Sequence, residues 1–218
     1  MGILGKAIIV TRSVCLLGKG DLAIRIARYL EQSLEFQLVG IVPVLPEPEW
    51  SSSLVSWASS SNVPIMTLDE LESGTSKIDI AFSCFFDRIL SEEFINRFSL
   101  ALNLHNSPLP KYRGVNPINW ALKNDEKFHG VTIHKITKGI DDGPIYGQLL
   151  FNIDPEVEEV VQVYNRAIKY GYLLFEDVFD KLDLIRPKEQ CNSESSYYSK
   201  KDFDLLGDRK GITRTNLK

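Results

Sequence analysis

The chain has 218 residues and a formal net charge of −4, and 44% of its residues are hydrophobic while 25% are charged. This balance is typical of a globular chain and excludes a disordered or fibrous one. The negative charge argues against a broad nucleic-acid surface, which needs a basic face, but it is compatible with a small basic pocket for a phosphorylated ligand.

The first half of the chain alternates apolar runs with amphipathic stretches. Residues 7–10 and 14–17 are both strand candidates, and either could be the first core strand. A helix is predicted over 22–30 because its apolar residues recur at helical spacing, and Asp21 can cap its N-terminus.

The next predicted strand is 36–44, and a helix is expected in the serine-rich segment 51–61. Buried strands follow at 78–82 and 100–104, with a helix at 92–98 between them. Such alternation predicts an α/β fold: a doubly wound, mainly parallel, Rossmann-like sheet with helices on both faces.

The second half predicts two more strands, at 131–136 and 145–153, and a long helix over 156–182. After it the composition becomes polar. We therefore predict a main domain of residues 1–185 and a short, irregular C-terminal extension of residues 186–218 that packs on it.

The three cysteines, Cys15, Cys84 and Cys191, lie far apart and predict neither a disulfide framework nor a zinc site. No stretch approaches the roughly 18 apolar residues that a membrane span requires. The sequence predicts a cytoplasmic protein with neither a membrane nor a nucleic acid as partner.

Two polar residues, Asn103 and His105, share one face of a predicted strand, while the leucines before and between them point to the other face. The strand must end soon afterwards because Pro108 and Pro110 cannot continue a hydrogen-bonded ladder. Both side chains therefore lie at the carboxyl end of a strand, where open α/β sheets bind ligands. A buried, hydrogen-bonded histidine is the alternative interpretation.

A glycine-hinged loop, residues 139–143, follows the strand predicted at 131–136. It can bring a carboxylate, from Asp141 or Asp142, back over the strand that carries His105. An aspartate beside a histidine raises the basicity of the imidazole and orients it. Because Asp-Asp-Gly is also a common turn sequence, the loop by itself is weak evidence.

Together these stretches resemble the folate-dependent formyltransferase family. That family carries Asn-x-His, then Ser-x-Leu-Pro and often Tyr-Arg-Gly, and later Gly-Val-Thr-x-His and a Gly-x-Asp-x-Gly loop. The corresponding residues here are Asn103 with His105, 107–110, 112–114, 130–134 and 139–143. The resemblance is close over 78–150 and only general towards the N-terminus.

The resemblance implies an enzyme that moves a formyl group from 10-formyltetrahydrofolate to an amine and requires no metal. Asn103 would donate a hydrogen bond to the oxyanion, an interaction worth about 2.7–4 kcal/mol. His105 would take a proton from the amine, for a rate gain on the order of 10²–10⁴. Asp141, which the Gly-Ile-Asp register favours over Asp142, would tune His105.

The resemblance also assigns the folate to two segments that form opposite walls of a slot. The predicted folate-binding residues are Phe86, Asp87, Arg88, Ile89, Leu90, Thr137, Lys138, Gly139 and Ile140. A flat ring with a donor–acceptor edge suits a slot of backbone groups and apolar side chains. The alternative is that the apolar members of the first segment are core residues.

Within the family, the stretch 103–150 is most similar to enzymes that formylate nucleotide-linked amino sugars, such as a dTDP-4-amino-4,6-dideoxyhexose, for surface polysaccharides including lipopolysaccharide O-antigen. The alternatives are a phosphoribosylglycinamide or methionyl-tRNA formyltransferase and a formyl-folate hydrolase. The tRNA enzymes carry a large basic C-terminal domain, which fits this acidic sequence less well. A homodimer is compatible with the sequence.

A nucleotide sugar needs a cation for its phosphates and a flat side chain for its base. The candidates are Lys111, Tyr112, Arg113 and Trp120, with Lys19 and the tyrosine pair 197–198 in addition. Trp120 could instead be a core residue, and Arg113 could hold the proline-rich loop. His129 and His134 are predicted to be structural.

Overall fold

The computed structural model describes residues 11–75 and 77–207. Its strands are β1 (Arg12–Gly18), β2 (Phe36–Pro43), β3 (Ile80–Cys84), β4 (Leu100–His105), β5 (Arg113–Gly114), β6 (Phe128–Lys135), β7 (Ile145–Asn152) and β8 (Tyr197–Tyr198). Six of them form the central sheet, in the order β2-β1-β3-β4-β6-β7, and β5 pairs with β8. The first four are parallel, whereas β6 runs antiparallel to both β4 and β7.

The helices are α1 (Gly20–Gln32), α2 (Leu54–Ser60), α3 (Leu68–Ser73), α4 (Glu92–Ile95), α5 (Pro117–Lys123), α6 (Val160–Asp180) and α7 (Phe203–Leu206). Alternate strand residues enter two separate apolar clusters: Leu16 packs with α1 and α6, while its neighbour Leu17 packs with α3 and α4. Helices therefore cover both faces, and the predicted doubly wound, mainly parallel α/β fold is confirmed.

The larger apolar cluster is centred on aromatic side chains between β3 and α6. The ring of Phe82 lies 5.1 Å from that of Phe175 and 5.3 Å from that of Phe179, both in edge-to-face geometry. All three side chains are buried. This packing fixes α6 against the sheet, and so supports the strands whose carboxyl ends carry the polar residues.

Two local expectations at the N-terminal end need comment. The strand candidate 14–17 lies within β1, and the candidate 7–10 lies outside the described residues. Asp21 does not cap α1: the capping position is Lys19, and Asp21 lies in the first turn, where its Oδ1 accepts a hydrogen bond from Ser52 Oγ at 2.6 Å. That correction arises because the helix begins at Gly20, one residue before the aspartate.

The helix α3 was not predicted, because only Leu71 of its six residues is buried and the apolar period is too weak to detect. A signal was nevertheless present. Thr67 and Glu70 form a reciprocal capping box, in which the Thr67 backbone N–H donates to Glu70 at 2.7 Å. The Thr-x-x-Glu pattern would have located its start.

The predicted C-terminal extension is more regular than expected over the part that the structure describes. Residues 197–198 form β8, and the ring of Tyr198 stacks on Trp120 at 4.0 Å and on Tyr112 at 5.9 Å between centroids. These contacts bind the extension to α5 and to the loop after β4. The domain boundary at residue 185 stays a prediction, and residues 208–218 lie outside the described part.

Over residues 11–75 and 77–207, none of the helices has both the length and the apolar character that a membrane span needs. Within the same residues, no cluster of three or more His, Cys, Asp or Glu side chains is arranged to hold a metal ion.

Candidate active site

The carboxyl end of β4 presents two polar side chains, as its alternation predicts. Leu102 and Leu104 point into the core and are 0% and 1% exposed, while Asn103 and His105 point to the other face. His105 is itself buried, with 8% of its surface exposed. Packing of the leucines thus determines the direction of both polar groups.

The antiparallel partner β6 places His134 directly opposite Asn103. The Nε2 atom of His134 lies 3.2 Å from Nδ2 of Asn103, and its Nδ1 lies 3.0 Å from the carbonyl oxygen of Lys135. Because a carbonyl only accepts, Nδ1 carries the proton and Nε2 accepts from the Asn103 amide.

His134 therefore belongs to the site, which corrects the prediction of a purely structural residue. The sequence contained half of the signal, since the alternation of β6 gives His134 and Thr132 a common face. The other half, the antiparallel pairing with β4, comes only from the tertiary fold.

Asp141 lies between these groups. Its Oδ2 is 3.4 Å from Nδ1 of His105, and its Oδ1 is 3.4 Å from both Nδ2 of Asn103 and Nε2 of His134. The backbone N–H of Gly114 donates to Oδ2 at 2.9 Å. The structure thus brings together the amide, the imidazole and the carboxylate that the sequence singled out.

The surroundings keep the Asp141 carboxyl ionised. Burial by itself would raise its pKa, but His105 and His134, each a cation when protonated, and the Gly114 N–H together outweigh burial and hold the pKa well below the ordinary value. Asp142, the alternative, is exposed, and its carboxylate accepts from the Thr137 hydroxyl instead.

The hydrogen bonds of His105 identify the nitrogen that can exchange a proton. Its Nε2 lies 2.9 Å from the carbonyl oxygen of Tyr112, which can only accept, so Nε2 carries the hydrogen. Nδ1 then has the free electron pair and faces Asp141. A proton taken up on Nδ1 would point at a carboxylate.

A cavity of about 580 Å³ opens beside Asn103, His105 and Asp141, and all three line it. The predicted folate residues that also line it are Phe86, Asp87, Arg88, Ile89, Leu90, Gly139 and Ile140. Ile89 is 79% exposed, so the alternative of a core role does not apply to it.

Two predicted folate residues, Thr137 and Lys138, are not among the residues that line the cavity. Thr137 Oγ1 bonds to Asp142 and accepts from the N–H of Gly139 at 3.2 Å, so it shapes the loop from within. Their role in folate binding stays a prediction.

The four predicted substrate residues also lie away from the cavity lining: Lys111, Tyr112, Arg113 and Trp120. Lys111 forms an exposed ion pair with Glu126 at 3.2 Å. Tyr112 is buried, and its hydroxyl donates to the same carboxylate at 2.8 Å. Both side chains therefore form contacts within the protein.

Arg113 and Trp120 are likewise engaged within the protein. The Arg113 guanidinium donates to Gln190 Oε1 from Nε at 3.1 Å and from Nη2 at 2.8 Å, and to Asn192 Oδ1 at 3.1 Å. Trp120 is 3% exposed and stacks on Tyr198. The structural alternatives that the sequence left open for these two residues are the ones the geometry favours.

Other residues of the cavity lining come from separate segments of the chain, and we call them the far wall: Lys19, Trp50, 115–119, Tyr164, Tyr197, Ser199 and Lys200. The sequence indicated only Lys19 and Tyr197 among them. Tyr164 contacts Trp50, with ring centroids 5.7 Å apart, although more than a hundred residues separate them in sequence. No local pattern could have grouped these residues.

His129 keeps the structural role predicted for it. It is fully buried, its Nε2 lies 2.9 Å from the carbonyl oxygen of Asn106, and burial lowers its pKa to about 4. A neutral imidazole at this position supports the turn that follows β4.

Curated relatives match parts of the chain. A methionyl-tRNA formyltransferase from Fervidobacterium nodosum is 40% identical over 99 residues, which are 45% of this chain and 31% of that protein. A bifunctional polymyxin resistance protein ArnA from Wigglesworthia glossinidia brevipalpis is 49% identical over 79 residues, 36% of this chain and 12% of that protein. The chain thus spans less than a third of the length of each of these two relatives.

Solved structures match nearly the whole chain. WlaRD, a sugar 3N-formyl transferase solved with dTDP and 5-N-formyl-THF, has a TM-score of 0.79 and 30% identity, and covers 92% of this chain and 74% of its own. An N-formyltransferase from Helicobacter canadensis, solved with folinic acid and dTDP-3-aminofucose, has a TM-score of 0.75 and 28% identity, covering 88% and 72%.

The sequence model of the family described as formyl transferase matches residues 56–178, a segment that includes Asn103, His105, His134 and Asp141. This match, the cavity and the solved relatives agree with the predicted folate-dependent formyltransferase family. The chain belongs to the formyl transferase family.

Proposed function

We propose that the chain transfers a formyl group from 10-formyltetrahydrofolate to the amine of a nucleotide-linked amino sugar. One observation carries the proposal: an amide, an imidazole and a carboxylate, from Asn103, His105 and Asp141, meet beside a cavity of about 580 Å³. Family membership and the folate-bound relatives support the donor.

The residues present fit a folate. The cavity, at about 580 Å³, lies within the roughly 300–1,000 Å³ typical of ligand sites. Ile89 and Ile140 expose apolar surface towards it from two different loops. A flat pterin ring between them would gain apolar contact on both faces, with backbone groups left for its polar edge.

The folate would supply the formyl group, whose carbon the acceptor amine attacks. Asn103 would donate to the formyl oxygen as negative charge develops there. Its Nδ2 now contacts Asp141 at 3.4 Å, a long hydrogen bond. Exchange of that weak contact for a charged oxygen costs little, so the amide is available to the reaction.

His105 would accept the amine proton on Nδ1, because Nε2 already donates to Tyr112. The ionised Asp141 beside Nδ1 would stabilise the resulting imidazolium. The proton would then move to the folate nitrogen as its bond to the formyl carbon breaks. The new carbon–nitrogen bond replaces the old one, and no net charge is left in the site.

The far wall would hold the acceptor. Lys19 and Lys200 contribute ammonium groups for phosphates, and Tyr197, which is 52% exposed, offers a ring for a base. Two solved relatives carry dTDP or a dTDP-linked amino sugar. A second candidate acceptor is methionyl-tRNA, because several curated relatives are named methionyl-tRNA formyltransferase.

The test is a screen of dTDP-, UDP- and GDP-linked amino sugars with 10-formyltetrahydrofolate, read by mass spectrometry. We expect one of them to gain a single formyl group, and none to do so without the folate. Formylation of methionyl-tRNA alone, or of glycinamide ribotide alone, would replace the proposed acceptor. Formate release that needs no amine would indicate a hydrolase instead.

A further inference from the structure

The side chain of Gln190 lies between the loop that carries Asp141 and the strand β5. It belongs to the segment after α6, nearly fifty residues downstream of Asp141 in sequence, and is half-buried. No sequence motif indicated it.

All the hydrogen-bonding groups of this amide are used. Its Nε2 donates to the backbone oxygens of Asp141, at 2.9 Å, and of Gly143, at 2.8 Å. Its Oε1 accepts two hydrogen bonds from the guanidinium of Arg113. Gln190 therefore joins the Asp141 loop to β5 with four hydrogen bonds.

The other end of the same network holds the Asp141 carboxylate. Gly114, which follows Arg113, donates its N–H to Oδ2 of Asp141 at 2.9 Å. Gln190 thus binds both the backbone of Asp141 and the side chain of Arg113, whose neighbour Gly114 binds the carboxylate. Backbone and carboxylate are restrained by one connected set of contacts.

Asp141 needs such a restraint. Its φ of 51° lies in the left-handed region, which costs energy for a residue other than glycine. Glycines at 139 and 143 flank it, so the loop can adopt other backbone conformations when it is not held. Without the two bonds from Gln190, the carboxylate could move away from His105.

We propose that Gln190 is a positioning residue that sets the Asp141 carboxylate against His105 and Asn103. The kinetic part of this proposal rests on the proposed function, because the quantity measured is kcat for formyl transfer. Gln190 lies behind the loop and acts through Asp141.

The charged and titratable groups that face the carboxylate are His105 from β4 and His134 from β6, and the Gly114 N–H approaches from β5. Asp142 is turned towards Thr137. A carboxylate that moves out of this ring of partners loses the interactions that keep it ionised.

The experiment compares Gln190→Met with Asn192→Ala. Methionine has nearly the length of glutamine and forms none of the four bonds. Asn192 accepts from the same guanidinium at 3.1 Å, is exposed, and forms no hydrogen bond with Asp141 within the described residues. Its variant is therefore the control for a C-terminal extension that is loosened without any change at the Asp141 loop.

We expect Gln190→Met to lower kcat at least about tenfold, because a displacement near 1 Å can cost on the order of 10² in rate. Both KM values should stay within about threefold, so that the loss falls on kcat. Asn192→Ala should leave kcat unchanged.

Gln190→Glu provides a second variant. It retains the pairing with Arg113 and loses the two donors to the loop, so we expect kcat to fall as in Gln190→Met. Amide hydrogen exchange over 139–144, measured by mass spectrometry, should be faster in both variants. That measurement needs no substrate.

A kcat of Gln190→Met within about threefold of wild type would overturn the proposal, as would an equal loss in Asn192→Ala. If the wild-type protein formylates no acceptor, the proposed function fails by itself. The exchange measurement then decides the role of Gln190, and unchanged exchange over 139–144 would refute it.

Discussion

The end of the cavity that is proposed to be catalytic, which we call the catalytic end, and the far wall are built in different ways. Asn103, His105 and His134 stand on paired strands, and Asp141 follows the second of them by a short loop. The far wall comes from segments around residues 19, 50, 115–119, 164 and 197–200, which belong to loops, to the helices α5 and α6 and to the region of β8. The proposed catalytic groups are thus held by strand register and one short loop, and the proposed acceptor-binding residues by the packing of distant segments.

The exposed fractions of the side chains also differ between the catalytic end and the far wall. His105 and His134 are 8% and 2% exposed, whereas Trp50 and Tyr197 are 40% and 52% exposed. Buried groups held by hydrogen bonds keep one geometry, while exposed side chains can adjust to a ligand. We therefore expect changes at the catalytic end to alter turnover and changes in the far wall to alter affinity.

The largest effect is expected from Asn103→Ala and His105→Ala. Each should lower kcat by about 10²-fold or more, since one removes the donor to the developing charge and the other the base. Steady-state kinetics with the acceptor found in the screen measures it. Lys127→Ala, an exposed change away from the cavity, is the control.

A rate near that of wild type in either variant would remove the catalytic end from the mechanism. Loss of helical circular dichroism would instead mean that the fold was damaged. The comparison therefore needs both measurements.

A smaller effect is expected in the far wall. Lys19→Ala and Lys200→Ala should each raise the KM for the acceptor about tenfold with little change in kcat, because each removes one charged contact to phosphate. The difference from wild type should shrink as salt is added.

Lys201→Ala and Lys111→Ala are the matched controls. Lys201 adjoins Lys200 but does not line the cavity, and Lys111 forms a surface ion pair with Glu126. Both should keep the KM within about twofold, as exposed pairs contribute about 0–1 kcal/mol. A tenfold rise in Lys111→Ala would restore the assignment made from the sequence.

The smallest effect concerns stability. The pKa of Asp141 is lower in the folded than in the unfolded chain, so its ionised form stabilises the fold in full above the ordinary carboxyl pKa. This contribution declines as the pH falls below that value and is gone only below the folded-state pKa. Thermal unfolding of Asp141→Asn should begin about 2–4 °C below wild type at pH 7, the shift that corresponds to roughly 1 kcal/mol.

The two melting temperatures should begin to approach each other as the pH falls below the ordinary carboxyl pKa of about 3.9, and they should continue to do so towards the lower pKa of the folded state. A difference that stays constant over this range would mean that the surroundings do not hold the Asp141 carboxyl ionised.

The sequence predicted the strands and helices well where the apolar pattern was strong, as in β4 and α6. It missed α3, where a single leucine is buried, and it gave His134 no role because that role depends on antiparallel pairing with β4. Arg113 was placed with the substrate because its charge is visible in sequence. Its pairing with Gln190 cannot be read from the sequence.

By itself, the sequence determined the α/β fold, the family, and the amide, imidazole and carboxylate of the site, because these depend on residues two apart in a strand and on one short loop. Only the tertiary structure decided the rest: which histidine joins them, which amide holds the loop of Asp141, and which lysines line the cavity. The residues that line the cavity lie up to about 180 positions apart in sequence, and no local period records their proximity.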